Sequence, residues 1–457
     1  MLFRVKTISL LMLLFGGVVF AGANAATNSI VWQTAGDEVS ADVHGEALWP
    51  LLTDIAHQTG WHIFVEPGID RKADVKFANL TSGEALKKLL GDLNFAFVPK
   101  TNEADHLYVF ATTVRAATQC VNVAATTNKM TAARHVANEL ILKVKPGTDI
   151  DALAKSLGAK VIGRDDKLGI YRLQFGDAAA TDAALGQLQF NPAVAAVEYN
   201  YILDPPPAPQ QIANAPTGPV SLTLNPPGDS GHVIVGLIDT PIQPLGSSLD
   251  PFILKQISIT GDTVDLSSTD PTHATSMAET ILRAMAAQGG STSAEILPVD
   301  VYGNSETATT WNVALGVQAA VDGGATVLNM SLGGTSDSAI LSDVIQQAEA
   351  KGIVIFAAAG NQPVTTPTYP AADSGVIAVA ATQGNQLASY SNYGSFIALA
   401  LPGASVVYLG GAAWVVQGTS PATAYATGIA AGAKSGTSQT WGQILSTMQQ
   451  KFPVPQK

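Results

Sequence analysis

One cysteine, Cys120, is all that 457 residues contain. A lone thiol cannot close an internal disulfide, and it cannot supply the paired thiolates of a structural zinc site. It lies in a polar stretch where an inert thiol is expected, with a free or intermolecular thiol as the alternative. Charge is equally scarce: Asp, Glu, Lys and Arg make up 13%, and the acids outnumber the bases to a net charge of −12. A chain of that sign repels phosphate backbones and anionic lipid, which argues against nucleic acid and membrane surfaces as partners. Aromatic residues are only 7%, yet the hydrophobic fraction reaches 47%. This describes a folded protein rich in small apolar side chains, and not a disordered one. Its length suggests roughly three domains.

Long apolar runs are also missing, with one exception. Ile8 to Phe20 is apolar, preceded by Arg4 and Lys6 and followed by Ala23-Asn24-Ala25. The run is too short for a stable bilayer span and has the layout of a secretory signal peptide over residues 1–25. Export to the periplasm or the extracellular space is expected, with no membrane span left after removal of the signal; a retained anchor is the alternative.

What the chain does contain points to its C-terminal half. In Gly418-Thr419-Ser420-Pro421-Ala422-Thr423-Ala424-Tyr425-Ala426-Thr427-Gly428, an apolar run ends, Gly418 permits a tight turn, and Pro421 suits the first turn of a helix. Ser420 is thereby placed at a helix N-terminus, where unpaired backbone N–H groups and the positive end of the dipole favour a developing oxyanion. An isolated Gly-Thr-Ser is more often a simple cap, so a nucleophile needs a base and an acid elsewhere. Beyond residue 230 only His232 and His273 are histidines. His273 lies in the stretch 272–282, which has helical spacing at Met277, Ile281 and Leu282, and Asp239 ends the apolar run 233–238, the carboxyl end of a buried strand. Strand-like runs at 233–238, 295–301, 325–330, 353–359 and 376–381 alternate with helical stretches at 274–288, 312–322 and 338–351. That alternation predicts a parallel sheet with helices on both faces.

The order Asp239, His273, Ser420 resembles that of subtilisin-like serine proteases, and not the orders of chymotrypsin or of α/β-hydrolases. The motifs Val235-Gly236-Leu237-Ile238-Asp239-Thr240, His273-Ala274-Thr275 and Gly418-Thr419-Ser420 with Ala422 are similar to the aspartate, histidine and serine motifs of that family. Val327-Leu328-Asn329-Met330-Ser331-Leu332-Gly333-Gly334 resembles its substrate-pairing strand, and Val354-Ile355-Phe356-Ala357-Ala358-Ala359-Gly360-Asn361 its oxyanion-asparagine segment. The resemblance implies an α/β fold with a subtilisin-like parallel sheet over residues 229–435, and catalysis by Asp239, His273 and Ser420. It further implies that Asn361 and the backbone N–H of Ser420 bind the oxyanion, that Ser331, Leu332 and Gly333 hold the substrate backbone, and that Ala358, Ala359 and Gly360 wall the first specificity pocket. Such small apolar walls suggest bulky apolar or aromatic residues at the cleavage site. The chain departs from the family at Pro241 and Ala274, where glycine is usual, and at Ala424 and Tyr425, where proline and histidine are usual. None of the four removes a catalytic group. No cofactor is expected; structural calcium supports many relatives, but no loop here is assigned to it.

Two small α+β domains are expected upstream. Residues 31–112 alternate short strands with helical faces at Ala47–Ala56 and, capped by Ser82, at Ala85–Leu90. They resemble the short N-terminal (STN) domain of secretins and TonB-dependent receptors, which implies docking on an envelope protein. His44, His57, His62 and His106 show no ligand spacing. Residues 113–136 read as a linker. Residues 137–203 read as strand, helix, strand, helix and extended exit, a ferredoxin-like order. They resemble the inhibitory (I9-like) propeptides of subtilisin-like proteases, which implies that the exit lies through the active site. Residues 204–228 are a proline-rich linker, expected to be extended and exposed, and 436–457 a C-terminal tail. The expected function is that of an exported serine endopeptidase acting on polypeptides, autoprocessed and inhibited by its own propeptide; the alternative is a non-enzymatic peptide-binding scaffold.

Overall fold

A computed structural model describes residues 28–456, apart from 34–37, 67–68, 70, 99–104, 115–116, 118, 122–133, 205, 214–232, 246–248 and 289–293. The expected signal peptide, most of the linker 113–136, and residues 214–228 of the proline-rich linker lie outside the described residues. The chain forms two compact units, residues 1–130 and 131–457.

In the first unit, helix Leu48–Thr59 turns Leu51, Leu52, Ile55 and Ala56 into a core shared with helix Ser82–Leu90. Spacings of three and four residues put these side chains on one face, as the periodicity requires. The helices pack with a three-stranded antiparallel sheet (Ser29–Gln33, Glu38–Ala47, Lys72–Leu80) and a four-stranded sheet in the order Asn94–Val98, His106–Phe110, His62–Val65, Gln119–Val121. Two expectations need correction. Thr81, and not Ser82, caps the second helix, through a reciprocal pairing with Glu84. Gln119–Val121, inside the expected linker, pairs antiparallel with His62–Val65 and completes the sheet.

The second unit begins with a β-α-β-β-α-β arrangement. Its strands lie in the order Val194–Leu203, His135–Val144, Ile170–Gln174, Lys160–Asp165, with helices Ile150–Ser156 and Ala178–Leu188. The strand Lys160–Asp165 has no apolar alternation of its own and was not anticipated. Along His135–Val144 the pleat sends Leu140, Leu142 and Val144 into the core under the two helices, while Ile141 faces the other way.

Ile141 and Ile170 belong to a second core, with Trp311, Val313, Leu341 and Val344 of helices Thr310–Asp322 and Ala339–Ala350. Those helices cover one face of the main sheet. In this sheet the parallel strands run Ile257–Ser258, Ala294–Asp300, Val233–Asp239, Val327–Met330, Val354–Ala358, Ile377–Gln383, with Ile397–Pro402 also pairing parallel with Ile377–Gln383. The chain leaves Val233–Asp239 for a neighbour on one side and later returns on the other. Asp239 therefore stands at the point where strand order reverses, where crevices form in open α/β sheets.

Helices His273–Ala286 and Thr419–Gly436 cover the opposite face. They approach closely: a Cβ on Gly428 would meet the Ile281 carbonyl oxygen at 2.4 Å, and one on Gly432 would meet Met285 Cα at 3.1 Å. Glycine at Gly428 is thus required by contact. Residues 436–457 are not a tail. Helix Trp441–Lys451 buries Ile444 and Met448 in this same core, and the Phe452 carbonyl accepts from the Ala400 N–H at 3.2 Å.

Candidate active site

Asp239 ends its strand 1% exposed. Its carboxylate accepts the Thr240 N–H at 2.7 Å and faces His273 Nδ1 with both oxygens, at 2.8 and 2.9 Å. A carboxylate can only accept, so Nδ1 is the donor of this contact. His273 is the first residue of its helix, which Thr272 caps by accepting the Thr275 N–H. Gln243 latches that helix start. Its side chain accepts from the Thr272 N–H at 2.7 Å and donates to the carbonyls of Ser268 and Asp270. Thr240 completes the frame by accepting the Ala274 N–H at 2.9 Å.

Gly428 and Gly432 face Ile281 and Met285, so the two helices run side by side in one register. Ser420 is the second residue of helix Thr419–Gly436, 2% exposed, where backbone N–H groups have no intrahelical partner. Its hydroxyl donates to the Ser331 carbonyl at 3.2 Å. His273 Nε2 is buried with no hydrogen-bond partner among the described residues. Gly418, just before the helix, has φ 146°, a backbone state that favours glycine. A Cβ there would stand 3.1 Å from Asn361 Nδ2.

Asn361 follows the strand Val354–Ala358. Its Oδ1 accepts the Thr419 N–H at 2.8 Å and the Thr419 hydroxyl at 3.1 Å, which leaves the amide group as its donor end. Thr419 also accepts the Gly360 N–H at 3.1 Å. Ser331 is tied in from both sides: its hydroxyl donates to the Ser420 carbonyl, and Asn329 Nδ2 donates to its hydroxyl at 3.0 Å. Thr427 in turn donates to Asn329 Oδ1 at 3.0 Å.

The remaining expected site residues lie nearby with distinct settings. The Gly333 carbonyl accepts the Asp204 N–H at 3.1 Å, and Leu332 is buried in the core beneath the propeptide-like sheet. Ala358 ends its strand, while the Ala359 side chain packs with Ala380 and Ala400. Thr240, Gln243, Asn329 and Thr419 carry the geometry but were not anticipated. Thr240, Asn329 and Thr419 stand within the quoted motifs, without a role assigned to them there, and Gln243 carries no sequence signal.

Residues 204–213 were expected to be exposed. Instead Pro206, Pro207 and Pro209 are half-buried, Pro207 Cγ lies 3.3 Å from the Cβ position of Gly418, and Gln210–Gln211 pairs antiparallel with Trp414 and Val415. Upstream, Ile202 and Leu203 pair with Thr309 and Ala308. Asn200 accepts the Trp311 N–H at 3.2 Å at the start of one helix. Glu198 accepts from Ser338, the cap of the other, and burial raises its carboxyl to about 7.

Residues 230–450 match the Subtilase family, and residues 121–200 match the fervidolysin N-terminal prodomain. Thermitase from Thermoactinomyces vulgaris is 35% identical over 206 residues, covering 43% of this chain and 72% of thermitase. A thermophilic serine proteinase from a Bacillus species (strain AK1) is 29% identical over 315 residues, 65% of this chain and 78% of that protein. A thermostable alkaline protease from Halalkalibacterium halodurans is 37% identical over 169 residues, 36% of this chain and 47% of its own length. In fold, the chain is similar to fervidolysin from Fervidobacterium pennivorans, described as a keratinolytic enzyme related to subtilisin, with a TM-score of 0.54, 18% identity, and coverage of 69% of this chain and 57% of fervidolysin. The strand-end aspartate, the helix-head histidine and serine, and this likeness over most of thermitase lead to one conclusion: the chain belongs to the subtilase family.

Proposed function

We propose that the protein is an exported serine endopeptidase in which Ser420 attacks the substrate carbonyl and His273 takes the serine proton through Nε2. Asp239 fixes the imidazole tautomer and stabilises the imidazolium that forms. Asn361 and the Ser420 N–H receive the oxyanion. Substrate adds as a strand along Ser331, Leu332 and Gly333, with Ala358, Ala359 and Gly360 bordering the pocket for the residue before the scissile bond. The observation that carries this reading is the Asp239–His273 contact at 2.8 Å, with Nε2 of that imidazole buried and without a partner among the described residues and Ser420 buried at a helix head.

Residues 137–203 are an inhibitory propeptide held in cis, supported by the match of residues 121–200 and by the carboxylate and amide that they place at two helix starts of the protease core. Maturation is a Ser420-dependent cut between about 198 and 230. The N-terminal unit is an STN-like module that docks on an envelope protein, in line with the signal-like leader.

The test is labelling with a serine-reactive fluorophosphonate, alongside intact mass, for the parent and Ser420→Ala. Labelling of the parent alone, with a cut in the 198–230 window that the variant lacks, is expected. Folded protein that takes up no probe after the window has been cut by an added protease sinks the catalytic reading.

A further inference from the structure

The extended segment that leaves the propeptide does not stop at the nucleophile. The Asp204 N–H donates to the Gly333 carbonyl, and a Cβ on Gly334 would stand 3.7 Å from Leu203 Cα. Both contacts describe one antiparallel register. Pro207 Cγ lies 3.3 Å from the Cβ position of Gly418, just before the helix that carries Ser420. Beyond the cleft, Gln210–Gln211 pairs with Trp414 and Val415, and the Ile212 N–H donates to the Ala413 carbonyl at 2.8 Å. The segment is therefore held at Gly333 on one side and at Trp414 and Val415 on the other, and continuing the first register by two residues would set Pro206 opposite Ser331 and the Pro206–Pro207 bond toward Ser420.

We propose that Asp204 and residues 206–212 belong to a cleavage-resistant strap, and that the protein is released from inhibition only by a cut at a bond other than Pro206–Pro207. The inference rests on Ser420 being the nucleophile. Two features of proline chemistry carry it. A substrate residue at position 206 would donate its N–H to the Ser331 carbonyl, but proline has none to give. That carbonyl accepts the Ser420 hydroxyl instead, at 3.2 Å, which draws the nucleophile's proton away from the unpartnered Nε2 of His273. Then, to leave, the amide nitrogen of residue 207 must accept a proton from the imidazolium. In Pro207 that nitrogen carries the ring Cδ in place of hydrogen, and the ring is already wedged beside Gly418. Proline at 207 also biases Pro206 to extended backbone, so the strap is held in its bound shape before it docks. The chain thus blocks its own cleft with a segment that it cannot digest there.

The experiment compares the full-length parent with Pro206→Leu/Pro207→Ser, each with and without Ser420→Ala, by intact mass, N-terminal sequencing and fluorophosphonate labelling. The parent is expected to show no cut between 204 and 208, and the double variant to be cut after residue 206 in most chains, only when Ser420 is present. A new N-terminus at residue 205, 206, 207 or 208 in the parent overturns the strap and leaves the catalytic reading intact. So does a double variant that labels at Ser420 yet stays whole at this bond. A double variant that is neither cut nor labelled removes the catalytic reading, and the strap with it.

Discussion

Glu198 offers the sharpest quantitative test of how the propeptide-like domain is held. Its carboxyl is 8% exposed, at the start of helix Ala339–Ala350, where Ser338 and the N–H groups of Ala339 and Ile340 surround it. Two effects compete. The helix N-terminus favours the charged form by about 0.3–1 kcal/mol, rising to ~2 in partly buried settings. Burial opposes it, with the nearby Asp337 adding repulsion, and the balance lifts the carboxyl from 4.5 to about 7. Burial wins. A displacement of this size corresponds to roughly 3 kcal/mol of docking free energy.

Because the docked carboxyl holds its proton more tightly than the free one, docking is strongest below the ordinary carboxyl range. It weakens as pH climbs from 4.5 to about 7, then levels off. Glu198→Gln keeps a hydrogen-bonding side chain without the charge, so its docking should stay flat over that window. The assay is hydrogen exchange over Val194–Leu203 in the Ser420→Ala background, corrected for the intrinsic pH dependence of exchange. Protection in the parent should fall by about 100-fold between pH 4.5 and 8, while the Gln variant holds constant, since each tenfold step is worth about 1.36 kcal/mol. Parent and variant curves running parallel, or a parent better protected at pH 8, would refute the burial argument and favour the helix-terminus attraction.

Two further outcomes are expected. Asn361→Ala, assayed after release of the strap, should lower kcat by about 10²–10³ with little change in KM, the magnitude known for the corresponding donor in subtilisin itself; an equal loss confined to KM would assign Asn361 to ground-state binding. Ile444→Ala should cost the protease core about 2–5 kcal/mol in urea unfolding, since Ile444 is 2% exposed in the main core, and a loss below 0.5 kcal/mol would return residues 436–457 to the status of a tail.

Much of the core architecture was legible in advance because it is written in local rules. Apolar runs of strand length alternating with amphipathic stretches predict a parallel sheet, and the main strands and helices fall within a few residues of those runs. The helix start at Gly418-Thr419-Ser420-Pro421 follows from the tight turn and from the proline that suits a first turn, so the placement of Ser420 at a helix head needs no knowledge of its neighbours, whereas the Thr272 cap that makes His273 a helix head shows only in the structure.

The parts that were not legible depend on partners distant in sequence. Gln119–Val121 and Gln210–Gln211 are too short to show a period, and each is a strand only because an edge elsewhere accepts it. Helix Trp441–Lys451 reads as a tail in the sequence because its few apolar residues have meaning only against the core that covers them. Sequence alone determined which residue types stand at strand ends and helix starts, since hydrogen-bond periodicity acts within a few residues. Only the tertiary structure decided that Glu198 loses water against a helix start 140 residues away, and that the Ser420 hydroxyl turns to the Ser331 carbonyl. Desolvation and strand addition are set by whatever the fold brings alongside, and no local pattern records that.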